Sequence, residues 1–212
     1  MTDIKHHLTD SLLMAYSAGT LPEAFNLAVA AHVSLCADCR ATLEGFDAVG
    51  GALLDEAREP LADDSLAKTM ALIGQGAPAV RQIRVDPVLP GPVADYVGGG
   101  IEAVRWRPAG IGVRQAILPT SSSATARLLH IKAGVAVPDH GHRGTELTLV
   151  LQGAFSDEDG HFKRGDIEVA TEAVEHTPIA DTGDDCICLA VTDAPLRFKS
   201  LIPRLAQPLF RI

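Results

Sequence analysis

The sequence predicts two domains, a small all-α helical bundle followed by an all-β closed or two-sheet architecture. Three observations carry this. Up to about residue 74 the apolar residues recur at helical spacing. A stretch rich in Gly and Pro follows. Beyond about residue 90 the apolar runs become short and alternating. A length of 212 residues with 47% hydrophobic and 21% charged content is ordinary for a globular chain of this plan.

The elements follow in order. "TDSLLMAYSAG" opens on a capping Thr9 or Asp10 and ends at Gly19. "LPEAFNLAVAAHVSLC" places Pro22 at a first helical position, with Phe25, Leu27, Ala28, Ala31 and Leu35 on helical spacing. A third helix is expected from about Asp38 to about Glu56, weakened by Gly45, Gly50 and Gly51. "DDSLAKTMALIG" makes a short fourth. "GQGAPAVRQIRVDPVLPGP" reads as a linker. The strands expected after it are "VRWRP", "VRQAILP", "ARLLHIKAG", "ELTLVLQG", "DIEVA", "CICLAVTD" and "LRFKS". The boundaries are therefore residues 1–75 for the helical domain, 76–90 for the linker and 91–212 for the β domain.

Formal net charge is −9 and unevenly placed. Residues 1–74 hold 11 acids against four bases, and the remainder 16 against 14. An acidic front end repels nucleic acid and suits a basic protein partner. "MTDIKHHLTD" lacks the apolar core of a signal peptide, and no apolar run reaches the length of a membrane span. The expectation is a cytoplasmic chain, in which four cysteines do not form a disulfide framework.

Those cysteines point to metal instead. "HVSLCADC" places His32, Cys36 and Cys39 as H-x3-C-x2-C across a helix junction, three of the four ligands that a structural zinc takes. A redox C-x-x-C usually follows a strand in a βαβ unit, which is absent here. The fourth ligand must come from the same small domain, and only His6 and His7 qualify. A bundle this small also gains stability from a metal staple.

The second half carries its own pattern. In "GVAVPDHGHRGTELTLVLQG", His140 and His142 have a period of two and so share a face. Glu146 opens the next strand, with Thr148 and Val150 on its side and Leu147, Leu149 and Leu151 on the other. His176 follows "GDIEVA". Three imidazoles and one carboxylate inside a barrel suit Zn2+, Mn, Fe or Ni. Cys186 and Cys188 share a strand face opposite Ile187, Leu189 and Val191. They read either as small buried hydrophobes or as a soft, oxidisable lining beside the metal. His130 reads as a strand residue and His161 as a solvated turn.

Two resemblances sharpen this. A histidine pair near the start, then H-x3-C-x2-C, resembles the zinc-binding anti-sigma domain, a small helical bundle that binds group IV (ECF) sigma factors. Between His7 and His32 lie 24 residues, and between His6 and His32 lie 25, and His7 is the preferred ligand. Residues 134–153 resemble the first cupin motif, G-x5-H-x-H-x3-E-x6-G, without a mismatch. "GDIEVATEAVEH" keeps the glycine and histidine of the second motif but lacks P-x-G. The order of domains, the length, and "DAPLRF" and "QPLFRI" resemble the ChrR-type anti-sigma factors. That resemblance implies a jelly-roll cupin and one-to-one inhibition of the sigma factor by the front domain. It also implies release through the cupin in response to singlet oxygen or related oxidants, and loss of the protein to a protease. The resemblance implies no catalytic residues. The alternatives are a cupin dioxygenase or isomerase with a zinc appendage, and a metal-buffering scaffold.

Overall fold

The computed structural model describes residues 3–57, 60–76 and 86–198. Helix α1 spans Asp10–Ser17, α2 Glu23–Leu35, α3 Ala37–Glu56 and α4 Ser65–Gly74. The Thr9 hydroxyl accepts the Leu12 N–H at the start of α1, and Gly19 (φ 67°) ends it in the left-handed region. Pro22 lies one residue before its expected place, as the N-cap of α2. The three glycines do not break α3, because none of them meets a neighbour and the helix runs through all of them.

A fifth helix, α5 (Gly91–Val97), stands where the sequence pattern suggests the start of the strands. Pro92 pre-sets its first turn, and Gly98 (φ 79°) ends it. Those same punctuating residues make the segment read as linker. The linker itself falls mostly on residues 77–85, outside the described residues, as do the ending "QPLFRI" and the last two residues of "LRFKS".

The strands are β1 (Arg107–Gly110), β2 (Val113–Ile117), β3 (Thr125–Ile131), β4 (His140–Gly141), β5 (Glu146–Gln152) and β6 (Ala154–Ser156). They continue as β7 (His161–Lys163), β8 (Ile167–Ala170), β9 (Glu175–His176), β10 (Ile179–Ala180), β11 (Cys186–Thr192) and β12 (Arg197–Phe198). One antiparallel sheet runs β1-β2-β3-β11-β5-β8. Two smaller sheets, β10-β6-β7 and β12-β4-β9, complete the β-rich half. "VRWRP" starts later than its pattern suggests, since only its last two residues enter β1. Gly153, between β5 and β6, takes φ 68°, and a side chain there would meet the Asp185 carbonyl at 2.8 Å.

The sequence divides the chain in two, yet the halves share one apolar core. On β5 and β11 almost every residue is buried on both faces. Val150, Cys186 and Cys188 pack inside the β half with Phe155 and Phe162. Leu147, Leu149, Leu151, Ile187, Leu189 and Val191 pack outward into the same cluster as Phe25, Leu27 and Ala28 of α2. Helix α2 lies across β3, β5 and β11, and α5 packs against α2. The Glu23 carboxylate ties this seam, accepting the Tyr96 hydroxyl and the Ser121 N–H, each at 2.7 Å.

Candidate metal centres

The front centre sits at the α2–α3 junction. His32 lies in the last turn of α2. Cys36 is at once the residue that ends α2 and the one that caps α3, its sulfur accepting the Cys39 N–H at 3.5 Å. Cys39 lies in the first turn of α3. His7 arrives from the extended segment before α1. Its Nδ1 lies 3.3 Å from Cys36 Sγ and 3.6 Å from Cys39 Sγ, while His32 Nε2 lies 3.2 Å from Cys39 Sγ. Ligands of a tetrahedral cation, on bonds of 2.0–2.3 Å, stand about 3.5 Å apart, so the four atoms fit one. His6 is not in the group: its ring lies against Phe162, with centroids 4.3 Å apart.

The electrostatics agree with that fit. Burial pushes His32 down to about 4, which keeps the imidazole neutral and able to offer a lone pair. Burial also pushes the Cys39 thiol up to about 11, so two thiolates here require a compensating cation.

The second centre lies inside the β half. The register sets His140 on β4 opposite His176 on β9. The Nε2 atoms converge, His176 being 3.2 Å from His140 and 3.3 Å from His142. All three rings are buried. Each Nδ1 faces an acceptor behind the ring. His140 donates to the Pro138 carbonyl at 2.9 Å and His176 to Asp157 Oδ2 at 2.8 Å. His142 Nδ1 lies 3.4 Å from Glu146 Oε2. Three inward lone pairs with oriented backs are what a divalent cation takes.

Glu146 stands behind His142, outside this group of three. It accepts the Thr148 hydroxyl at 3.0 Å. Burial pushes its carboxyl up, but the hydrogen bond from His142 and the nearby imidazoles prevail and hold it below the usual range. Asp157 and Glu168, which sequence reasoning did not single out, both press on His176 Nδ1, Glu168 Oε1 at 2.9 Å. Burial lifts Glu168 to about 7. Burial lowers His176, yet the Glu168 and Asp157 contacts outweigh it and raise the ring to about 9. A cation on Nε2 would take the place of that extra proton. The available signal for Glu168 was a charge at an inward position of the apolar run "DIEVA".

Cys186 and Cys188 are both free and buried in the same interior. The hydrogen bond with Cys186, then burial, push the Cys188 thiol well above its ordinary value, so Cys188 stays protonated. His161 is exposed on β7, pairing with Asp181 at 2.8 Å, and His130 on β3 pairs with Asp185 at 3.1 Å.

Comparison with known proteins places this geometry. Residues 97–195 match the ChrR Cupin-like domain. The chain is 60% identical over 214 residues to the anti-sigma-E factor ChrR of Cereibacter sphaeroides, covering 99% of both chains. The chain belongs to the ChrR family of anti-sigma factors. A crystal structure of Rhodobacter sphaeroides SigE in complex with the anti-sigma ChrR matches at a TM-score of 0.79 and 57% identity, covering 89% of this chain and 99% of that one. As a member of the ChrR family the chain is a regulator rather than an enzyme. Among the described residues, no helix is long and apolar enough to cross a membrane.

Proposed function

We propose that this chain is a cytoplasmic, zinc-dependent inhibitor of a group IV (ECF) sigma factor, which it holds one to one without touching nucleic acid or membrane. Residues 1–75 form the inhibitory domain, 76–90 the connection and 91–212 the sensing cupin. The ligands of the front zinc are His7, His32, Cys36 and Cys39. The cupin centre takes Zn2+, Mn, Fe or Ni on His140, His142 and His176, with Glu146 joining the ligands or orienting His142. Oxidant sensing runs through this centre and the Cys186–Cys188 pair, and release ends in proteolysis of the inhibitor.

One observation carries the inhibitory reading. Helix α4 buries none of its residues, and with the end of α3 it presents Leu53, Leu54, Leu66, Met70, Leu72 and Ile73 at 59–75% exposure. A ten-residue helix that buries none of its own residues needs a partner to hold it. Acidic residues Asp55, Glu56, Asp63 and Asp64 flank this apolar stripe, which suits a basic partner. The solved relative was crystallised with a sigma factor.

The test is co-purification of the full chain with a group IV sigma factor from the same source, reading metal content on each sample. Leu66→Asp with Met70→Asp should abolish capture and keep the metals. Cys36→Ala with Cys39→Ala should lose one metal and capture together. Undiminished capture by the α4 variant would sink the reading. For the sensing half, photosensitised singlet oxygen should release sigma from the parent chain and much less from Cys186→Ala with Cys188→Ala. Equal release from both would remove the cysteines from the mechanism.

A further inference from the structure

The two metal centres are joined by a short connection, centred on one buried carboxylate, that neither centre uses for ligation. Asp166, in the turn between β7 and β8, is 2% exposed. Its Oδ1 accepts the backbone N–H of Lys5 at 2.6 Å and of His6 at 3.0 Å, and its Oδ2 accepts the N–H of Lys163 at 2.8 Å. Ile167 N–H donates back to the His6 carbonyl at 3.2 Å. The segment before α1 is thus clasped onto the cupin across about 160 residues of sequence. Gly165 makes the close approach possible, since a Cβ there would stand 2.7 Å from Ile4 Cδ1.

Both ends of this clasp reach a centre within two residues. One residue after His6 comes His7, whose Nδ1 faces the Cys36 and Cys39 sulfurs. Two residues after Asp166 comes Glu168, whose Oε1 lies 2.9 Å from His176 Nδ1. A buried carboxylate that loses its amide donors is left unsatisfied at a cost, so opening of this clasp is disfavoured while segment 4–7 stays in place.

We propose that Asp166 is a latch that couples cation occupancy in the cupin to the grip on the cation of the front centre. With the cupin centre filled, His176 and Glu168 fix β8, Asp166 holds the segment 4–7, and His7 stays on the sulfurs. With the cupin centre empty, His176 is no longer fixed against Glu168, the turn carrying Asp166 is held by the β5 ladder alone, the clasp opens more often, and the front centre loses its most exposed ligand first. Coupling of this kind is reciprocal, so an open front centre also weakens the cupin's hold. The inference rests on the two-centre reading of the proposed function.

The test uses the full chain loaded with Co2+. The front centre is the one with thiolate ligands, so its sulfur-to-cobalt charge-transfer band reports that centre alone. Release into excess EDTA is timed with the cupin filled and with it emptied by His140→Ala plus His142→Ala. In the parent chain, emptying the cupin should speed front-centre release about tenfold, inside the span usual for coupled sites. Asp166→Ala should release fast even when filled, and its filled-to-empty ratio should fall below about twofold. Ile4→Ala, which changes no residue of the cupin and trims only the contact to Gly165, should move both quantities the same way by less, and it decides the matter if Asp166→Ala does not fold. A parent ratio near one, or a full ratio surviving in either variant, overturns the latch alone. Absence of the thiolate band in the parent chain overturns the front centre and the latch with it.

Discussion

Leu189→Ala is the sharpest perturbation of the shared core. Leu189 lies in the middle of β11, is fully buried, and belongs to the cluster that includes Phe25 and Leu27 of α2. Truncation removes three carbons from burial, worth about 2.4 kcal/mol at about 0.8 kcal/mol each. A residual void of about 50 Å3 adds about 1.2 kcal/mol at about 24 cal/mol per Å3. The expected loss is about 3.5 kcal/mol, or roughly 300-fold in the folding equilibrium. Because the side chain lies on the face that α2 covers, the loss must reach the front half. Urea unfolding of the cobalt-loaded chain should show the thiolate band and the β-sheet circular dichroism shifting together to lower denaturant. A loss below about 1 kcal/mol, or a thiolate transition that does not move, would refute the shared core.

Three further outcomes follow from the sites. His7→Ala should lose the front cation while His6→Ala keeps it, read by metal content; His6 contributes a ring contact to Phe162 instead. Asp157→Asn should weaken cation affinity of the cupin about 10–100-fold by chelator competition, because it orients His176 rather than binding the ion. The seam should loosen in acid. The hydrogen bonds from Tyr96 and Ser121 hold Glu23 below the carboxylate range, and N–H bonds from Leu89, Ile101 and Val88 hold Asp86 down against the upward push of burial. A depressed folded value gives stabilisation that is present above the unfolded value of about 4 and lost as pH falls through the folded one. Protection factors of the α5 amides should therefore fall below about pH 4, and Tyr96→Phe should blunt that response.

The four front helices were legible because their caps and apolar spacing are local, as with Thr9, Gly19 and the Phe25–Leu35 stripe. The H-x3-C-x2-C spacing was legible because a helix break fixes three side chains at once. The pairing of His140 with His176 depends on a register set by residues 36 positions apart, so the sequence offered the histidines as a set but not their register. Helix α5 was hidden because its seven residues lie among prolines and glycines. The docking of α2 left one signal, the unbroken apolar run of β11. A strand wetted on one face would have alternated, as the start of "ELTLVLQ" does, whereas "CICLAVT" is apolar on both sides. Asp166 left none, since its partners are backbone amides far away in the chain.

Cys36 closes α2 with its backbone N–H and opens α3 with its sulfur, which also faces the front centre. The bend between the two helices and the chemistry of one atom are therefore the same variable. Any reagent that alkylates, oxidises or strips that sulfur also takes away the pivot from which α3 projects toward its exposed leucines. An inhibitor built this way does not lose its grip in proportion to damage. It loses its aim, all at once, at a hinge one residue wide.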